Sequence, residues 1–334
     1  MEGLRKKMIG CYVTGAFPRP TELIRTTRAY ERAGISKKRL EESFEKATES
    51  VINAQISAGL DYVTDGMLKW QDLFRPFTEN LKGTTVGSLT RWFNNNTFYR
   101  QPIITNHVER EKDIVINMIC IEKLPKNLPW KAILPGPYTF VSLSENQYYK
   151  DKAEFMFEFA RITNEEIRSL AEAGFSYIQL SEPALVYEPL APKSRKDKLT
   201  LVNDVLQIAV RGITAKTCLQ TFFGDFSKIL PEVLDFPVDH LGIDLYETDF
   251  EKLKEYSFEK DVALGLVNSR SSLVEEPTEL VAVAKEIIES IYRSGTMEVF
   301  ICPNCDLDFL PWEKAKEKME VLGNVTKRLR EELS

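Results

Sequence analysis

The sequence predicts an α/β fold, a single (βα)8 TIM barrel with a β-hairpin insertion near residues 84–126. Three observations support this fold. Strand-like and helix-like segments alternate, eight strand-like runs can be counted, and 334 residues suffice for one barrel with insertions. No linker-like change in composition divides the chain, so we assign one domain to residues 1–334. The eight apolar or β-branched runs are residues 8–14, 61–65, 132–135, 177–181, 217–223, 240–245, 262–268 and 299–303.

Amphipathic segments between these runs predict the outer helices. In residues 37–58, Leu40, Phe44, Ala47 and Val51 recur at the three- and four-residue spacing of one helix face. Similar segments predict further helices at residues 151–173, 199–211, 280–293 and 312–333.

Residues 84–126 do not fit the alternation, because they are too long for an ordinary connection between a strand and a helix. They are rich in Val, Ile, Thr and aromatic residues around Asn94-Asn95-Asn96, which indicates a β-hairpin. We expect it to lie over one end of the barrel, where long ordered loops shape pockets.

Composition narrows the classes of function. A net charge of -6 disfavours nucleic-acid binding, and no run of about 18 apolar residues is present to span a membrane. Residues 1–7 (MEGLRKK) are basic, but no apolar run of signal-peptide length follows them, so we expect a cytoplasmic protein. Five cysteines at irregular spacing indicate reduced thiols rather than a disulfide framework.

Cys302 and Cys305 form a Cys-x-x-Cys pair at the end of the last run. Two thiols at this spacing make half of a tetrahedral zinc site, but a closed structural site needs four ligands and a catalytic one about three. A redox role is disfavoured because such pairs normally begin a helix in a thioredoxin-like unit, which this chain lacks. The other cysteines and the histidines, none paired at short spacing, are Cys11, Cys120, Cys218, His107 and His240.

In (βα)8 barrels the site lies at the carboxyl ends of the strands, so polar residues there are the candidate pocket residues. A carboxylate at such an end can be a general base, a metal ligand or a helix cap. Asp225 is predicted to be a cap. For Glu182 both roles stay open, because Pro183 suits the first turn of a helix and leaves the carboxylate at its positive end. The candidates are Arg19, Asp65, Glu182, Asp244, Asn268, Arg270 and Cys305, with Trp92 from the insertion.

Five motifs follow one another along the chain: residues 14–20 (TGAFPRP), 29–36 (AYERAGIS), 91–96 (RWFNNN), 134–139 (LPGPYT) and 177–185 (YIQLSEPAL). In this order they resemble the cobalamin-independent methionine synthase family over nearly the whole chain. The resemblance implies a (βα)8 barrel that transfers a methyl group from a methylated pterin to homocysteine, with zinc holding the thiolate. Zinc would serve to deprotonate the thiol while keeping its sulfur reactive.

The zinc ligands implied by the resemblance are mostly missing. In the catalytic half of the family they are a His-x-Cys pair at one strand end, a Glu at the next and a distant Cys. The resemblance places Gln220 and Phe222 at the first pair and Asp244 near the Glu, and only Cys305 matches outright. Gln is a poor zinc ligand and Phe is none.

The residues at the amino-acid pocket implied by the resemblance also differ from those of the family. Where the family has Ser after the early Gly, Glu after Asp-Gly and Asp before Glu-Pro, this chain has Ala16, Met67 and Ser181. The chain is most similar to the amino-terminal, zinc-free half of the family, as a stand-alone, archaeal-type single barrel. The motifs that carry this likeness are residues 221–224, 242–245, 265–270 and 303–305.

Two leading readings follow from the resemblance, beside the alternative of a repurposed barrel that acts on another thiol or pterin. In the first, the chain is an accessory barrel in methionine biosynthesis with no metal of its own. It works with a separately encoded catalytic barrel and holds the methylated pterin, with Arg19 and other basic residues contacting the pterin's acidic tail. In the second, it is a self-contained homocysteine methyltransferase that binds zinc through Cys302, Cys305, Cys218 and Asp244.

Overall fold

The computed structural model describes residues 8–93, 95–187, 194–292 and 297–333. Residues 1–7, Asn94 of the predicted hairpin and Arg293 of the fourth predicted helix lie outside the described residues. The strands are β1 (Met8–Cys11), β2 (Leu81–Arg91), β3 (Phe98–Arg110), β4 (Trp130–Pro135), β5 (Glu145–Asn146), β6 (Phe175–Ser181), β7 (Lys216–Gln220), β8 (His240–Asp244), β9 (Asp261–Val267) and β10 (Glu298–Pro303).

Seven of these strands form one curled parallel sheet in the order β1-β10-β9-β8-β7-β6-β4. The strands consist of buried apolar and β-branched residues, as is typical of a parallel sheet covered on both faces. Seven of the eight predicted runs thus correspond to strands, with bounds shifted by a few residues.

The remaining predicted run, residues 61–65, does not form a strand. It connects the two edge strands of the sheet, β1 and β4. The Asp61 N–H donates to the Cys11 carbonyl oxygen at 3.0 Å, and the Val63 N–H donates to that of Pro129 at 3.1 Å. Val63 also makes an isolated parallel bridge with Trp130. Residues 61–65 therefore contact both edges of the sheet, β1 and β4. They lie where an eighth strand would close the barrel.

The helices cover the outside of the sheet. The second helix begins where Ser36 accepts a hydrogen bond from the Arg39 N–H, and it ends at Gly59, whose φ of 77° suits glycine. The helices are α1 (Thr21–Glu31), α2 (Lys37–Ala58), α3 (Arg75–Asn80), α4 (Pro137–Leu143), α5 (Lys152–Glu172), α6 (Pro183–Tyr187), α7 (Arg195–Ala209), α8 (Phe250–Leu253), α9 (Pro277–Ile291) and α10 (Trp312–Leu333). None of the described helices is both long and apolar enough to cross a membrane.

The predicted hairpin is present as β2 and β3, which pair antiparallel, for example Thr85 with Ile103. It begins at Leu81 and ends at Arg110, so residues 111–126 are not strand. They turn away because the Glu166 carboxylate on α5 accepts hydrogen bonds from the Ile114 and Val115 N–H groups, at 2.9 and 2.8 Å. The short strand β5 adds to β3 and completes a three-stranded sheet.

Side chains alternate between the inside and the outside of the barrel. The outward-facing ones join the helices in the main apolar core. A smaller cluster fills the barrel interior and consists of Tyr12, Tyr177, Cys218, Ala263, Phe300 and Cys302.

Candidate functional site

A cavity of about 80 Å³ lies between the carboxyl ends of β1 and β10 and the hairpin. Small-molecule sites are typically about 300–1,000 Å³, so the cavity holds one end of a ligand rather than a whole cofactor. It is lined by Ala16, Met67, Trp70, Gln71, Asp72, Leu73, Trp92, Thr97, Phe98, Tyr99, Asp306, Asp308 and Phe309.

Two carboxylates form one wall of this cavity. Asp306 accepts a hydrogen bond from the Ala16 N–H at 3.2 Å, and the Asp308 N–H donates to the Ala16 carbonyl oxygen at 3.0 Å. These bonds join the loop after β10 to the loop after β1. Asp308 keeps accessible surface and lines the cavity.

Burial sets the protonation of this pair. It raises the pKa of both Asp306 and Asp308, and the neighbouring charge of Asp308 raises that of Asp306 further. The Arg19 guanidinium acts in the opposite direction on Asp308. Near neutral pH the pair therefore retains a proton more readily than two exposed aspartates would.

Aromatic side chains form the opposite wall. Trp92 is buried, and its ring centroid lies 5.4 Å from that of Phe74 and 5.5 Å from that of Tyr99. The backbone N–H of Trp92 donates to the Thr97 carbonyl oxygen at 2.9 Å, which fixes the tip of the hairpin. Among the described residues, the buried Trp70 Nε1 and Thr97 Oγ1 have no hydrogen-bond partner. Both residues line the cavity.

The loop beneath the cavity is held in a strained conformation. Met67 has a φ of 54°, which is uncommon for a residue with a side chain. Asp65 accepts a hydrogen bond from the Met67 N–H at 3.0 Å. Arg19 donates from Nε to the Leu68 carbonyl oxygen at 2.9 Å and from Nη2 to that of Trp70 at 2.8 Å. Asp65 and Arg19 thus position the loop that presents Met67 and Trp70.

Of the eight residues predicted to line one pocket, Trp92 lines this cavity. Asp65 lines a second, smaller cavity of about 10 Å³, and burial raises the pKa of Asp65 to about 6. Which of the eight residues contact a ligand stays a prediction.

Asp244, Arg270 and Cys305 come together at the ends of β8, β9 and β10, although Arg270 makes its ion pair with Glu247. Asn268, at the end of β9, accepts a hydrogen bond from the Arg270 N–H at 2.9 Å.

Glu182 has a structural role as a helix cap, but for a different helix from the one that follows it in sequence. Its carboxylate is fully buried and accepts hydrogen bonds from the Tyr138 and Thr139 N–H groups, at 2.9 and 2.7 Å. These groups begin α4, so Glu182 caps that helix from the neighbouring strand. Burial nevertheless raises the pKa of Glu182 to about 7. The predicted cap at Asp225 is confirmed, since it accepts from the Ser227 N–H at 2.9 Å.

The residues at the implied zinc position do not fit the metal. Gln220 and Phe222 are buried. The Asp244 carboxylate is already satisfied by the Phe223 and Tyr246 N–H groups, at 3.1 and 3.0 Å, and by the Asn304 amide at 3.1 Å. Burial raises the pKa of the Cys305 thiol well above its ordinary value, which opposes the thiolate that zinc needs.

The zinc ligands of the second reading, which include three cysteines, are divided between two parts of the barrel. Cys302 and Cys218 belong to the cluster inside the barrel, whereas Cys305 belongs to the main core. Burial raises the pKa of both interior thiols, although the Lys131 charge lowers them in part. Within the described part of the chain, these cysteines and Asp244 do not form a group of three ligand atoms at metal-binding distance.

Sequence reasoning included Asp306 and Asp308 only within the polar strand-end run of residues 304–308, and it did not single out Lys131 or Trp70. Lys131 is fully buried in β4, where its Nζ donates to the Val13 carbonyl oxygen at 2.7 Å. Burial lowers its pKa to about 7. The available signal was a lysine inside an otherwise apolar strand, in residues 130–135 (WKAILP).

The fold and the site define a class of protein: a parallel α/β barrel whose strand ends are covered by a hairpin, with a small polar and aromatic cavity between them. A model of the family described as cobalamin-independent synthase, catalytic domain, matches residues 10–328. The chain therefore belongs to the cobalamin-independent methionine synthase family, and the resemblance expected from its motifs is confirmed.

Relatives agree with this assignment. A methionine synthase from Saccharolobus solfataricus is 30% identical over 328 residues, covering 96% of this chain and 95% of that protein. One from Sulfurisphaera tokodaii is 28% identical, covering 96% and 92%. The structure of a B12-independent methionine synthase from Shewanella sp. W3-18-1 superimposes with a TM-score of 0.81 at 20% identity, covering 98% and 99% of the two chains. The predicted barrel fold is thus confirmed.

Proposed function

We propose that this chain acts in methionine biosynthesis in the cytoplasm as an accessory barrel that binds the methylated pterin donor. It would work with a separately encoded barrel that carries zinc and homocysteine. Two features support the proposal: the side chains at the implied zinc position, which include Gln220 and Phe222, do not suit zinc, and the cavity retains polar and aromatic groups.

The cavity suits the polar edge of a pterin ring. The 2-amino group and the adjacent ring N–H of a pterin are donors, and Asp306 and Asp308 offer acceptors. The unpartnered Trp70 Nε1 is a donor for a ring nitrogen or the ring carbonyl. Trp92 supplies an aromatic wall for the flat ring. The rest of the donor would extend past the hairpin.

The same cavity does not suit homocysteine, the amino acid that accepts the methyl group. Ala16 and Met67, which stand where the family has Ser and Glu, both line it and offer no polar side chain to homocysteine. The carboxylate of homocysteine would also meet Asp306 and Asp308. An unpaired buried charge of this kind costs several kcal/mol, so we expect homocysteine to bind elsewhere, on the catalytic barrel.

The hairpin offers a surface for that barrel. Leu89 is 58% exposed and Phe98 48% exposed, both on the sheet that covers the site. A partner docked there would bring its zinc-bound thiolate towards the donor. Arg19 is committed to two backbone carbonyls, so contact with the acidic tail falls to other basic residues.

The test is an activity assay of each chain and of the pair. The isolated chain should form little or no methionine from homocysteine and a methylated pterin, and it should co-purify with a catalytic barrel and raise that barrel's turnover. Leu89→Glu should weaken the complex, whereas Val283→Glu, an exposed apolar residue on α9, should not. A pair no more active than the catalytic barrel alone would contradict the proposal.

The second reading, a self-contained zinc-dependent methyltransferase, is favoured by one observation. The chain spans 95% of the Saccharolobus solfataricus methionine synthase, so a barrel of this length carries that name by itself. Robust turnover by the isolated chain, lost on adding a chelator and in Cys305→Ser, would establish this reading and refute the accessory one.

A further inference from the structure

Three potential metal ligands meet at the amino-terminal end of the barrel, opposite the cavity. His240, Asp261 and Glu298 are the first residues of β8, β9 and β10, three neighbouring strands of the sheet. His240 pairs with Asp261 in register, and Val299 pairs with Val262, so the three residues form one row across the strands. One ligand atom from each lies within 4.8 Å of the others.

The distances fit a shared ion. His240 Nε2 lies 3.2 Å from Glu298 Oε2 and 3.8 Å from Asp261 Oδ2. Two ligands bound to one zinc ion at about 2.1 Å each are separated by about 3.4 Å in tetrahedral geometry. The observed separations bracket that value.

An independent observation is the state of the histidine itself. The His240 side chain is 1% exposed, and neither ring nitrogen makes a hydrogen bond of normal geometry within the described part of the chain. A buried imidazole that lacks well-formed hydrogen bonds costs free energy, because its nitrogens lose the hydrogen bonds they made to water. A metal bound at Nε2 would replace one of them.

The surroundings also supply charge and access. Glu298 and Asp261 each contribute one carboxylate oxygen to the group. The Asp261 side chain is 33% exposed and that of Lys216 is 41% exposed, which opens the site to solvent. Lys216 pairs with the same Glu298 oxygen and competes with a cation for it.

We propose that His240, Asp261 and Glu298 bind a divalent transition-metal ion, with Zn²⁺ as the probe, at the amino-terminal end of the barrel. One imidazole and two carboxylates suit zinc and leave a coordination position for water. This site is separate from the carboxyl ends of the strands, and it stands whether or not the proposed function does.

The test uses untagged, chelator-stripped full-length protein titrated with Zn²⁺ against a competing chelator. One equivalent should bind. Asp261→Asn keeps an oxygen for the Glu298 N–H, which it accepts at 2.7 Å, and should weaken binding by at least about tenfold, as should His240→Gln. Lys216→Met removes the competitor and should tighten binding. Circular dichroism would verify that each variant is folded.

The chain offers matched controls. It contains two histidines, so the imidazole signals in an NMR spectrum can be assigned from His107→Gln, and Zn²⁺ should shift only the signal of His240. Cys305→Ser should bind zinc as the parent chain does. Absence of saturable binding, or binding unchanged in His240→Gln and Asp261→Asn, would overturn the proposal. Binding lost in Cys305→Ser would place the metal at the opposite end and refute both this site and the accessory reading, in which the carboxyl ends of the strands bind no zinc.

Discussion

The ammonium group of Lys131 lies over the ring of Tyr12, with Nζ 3.5 Å from the ring centroid. Both side chains are inside the barrel, where Tyr12 also bonds to Tyr177 through their hydroxyl groups at 3.0 Å. The contact is a cation–π interaction, and together with the Val13 carbonyl it compensates a buried charge. This arrangement makes barrel stability depend on the protonation of a single lysine.

The first prediction concerns that dependence. Burial lowers the pKa of Lys131 from its ordinary 10.5 to about 7, so between these values the unfolded chain binds more protons than the folded one. The contribution of Lys131 to the free energy of unfolding should therefore rise with pH over this window, by up to about 1.4 kcal/mol per pH unit, and be constant below it. Urea unfolding of the parent chain and of Lys131→Met, compared from pH 6 to pH 10, measures this.

The control is Lys37→Met, because Lys37 is exposed at the start of α2. The difference in the free energy of unfolding between Lys37→Met and the parent chain should not change with pH between pH 7 and 10.5. If the difference in the free energy of unfolding between Lys131→Met and the parent chain is also independent of pH, the buried lysine stays charged throughout this window.

The second prediction tests the capping role of Glu182. Glu182→Ala leaves the buried Tyr138 and Thr139 N–H groups without their acceptor, and each such group costs about 1–3 kcal/mol. The free energy of unfolding should fall by at least about 2 kcal/mol, whereas Glu172→Ala, at the exposed end of α5, should change it little.

A pH series adds a second readout for Glu182. Because burial raises its pKa from 4.5 to about 7, the folded chain binds more protons in this window, and the stabilisation from this group is lost as pH rises through it. The difference between the parent chain and Glu182→Ala should shrink accordingly. Unchanged stability in the variant would instead favour the functional role.

The sequence was sufficient for most of the fold because buried strands and amphipathic helices have local signatures. The helices at residues 37–58 and 312–333 have the predicted bounds. The run at residues 61–65 was less predictable, since only Val63 makes a β-bridge there. Its apolar content indicates burial, but pairing depends on where the two edge strands lie.

The site was less predictable because it depends on convergence between distant segments. A helix cap and a catalytic carboxylate look alike in sequence, and the bonds of Glu182 to the start of α4 depend on the alignment of β4 with β6. The contact between Asp306 and the Ala16 N–H joins residues far apart in the chain. Asp244 ends β8, and Asn268 and Cys305 follow β9 and β10 within two residues, but the sequence does not indicate which of the polar candidates satisfy backbone groups.

The third prediction concerns the packing of α10 on α2. A methyl group added at Gly323 would lie 1.7 Å from the Ala58 carbonyl oxygen, which is backbone and cannot move aside as a side chain can. Gly to Ala within a helix normally stabilises by about 1 kcal/mol, but Gly323→Ala should destabilise the chain, by about 1–3 kcal/mol. Thermal unfolding measures this, with Asn324→Ala on the exposed side of the same helix as the control. An increased melting temperature for Gly323→Ala would show that the helices separate easily.

The fourth prediction concerns the donor site. If the pterin ring packs against Trp92, its binding should quench tryptophan fluorescence, and Trp92→Leu should weaken binding about three- to tenfold, since an aromatic pair contributes about 0.5–1.5 kcal/mol. Trp130→Leu is the matched control, because Trp130 begins β4 at the other end of the barrel and bonds to the Pro125 carbonyl oxygen.

Fluorescence titration with a methylated pterin gives the dissociation constants of the parent chain and of both variants, and circular dichroism verifies their folds. Asp306→Asn adds an independent test of the same site. It keeps an acceptor for the Ala16 N–H but replaces the other carboxylate oxygen with an amide N–H, which cannot accept from the pterin's amino group, so the affinity should fall again. Equal affinity in all three variants would place the donor elsewhere, whereas loss in Trp130→Leu alone would point to the amino-terminal end of the barrel. Weaker binding in Trp92→Leu and Asp306→Asn, with Trp130→Leu unchanged, would locate the pterin between the two walls of the cavity.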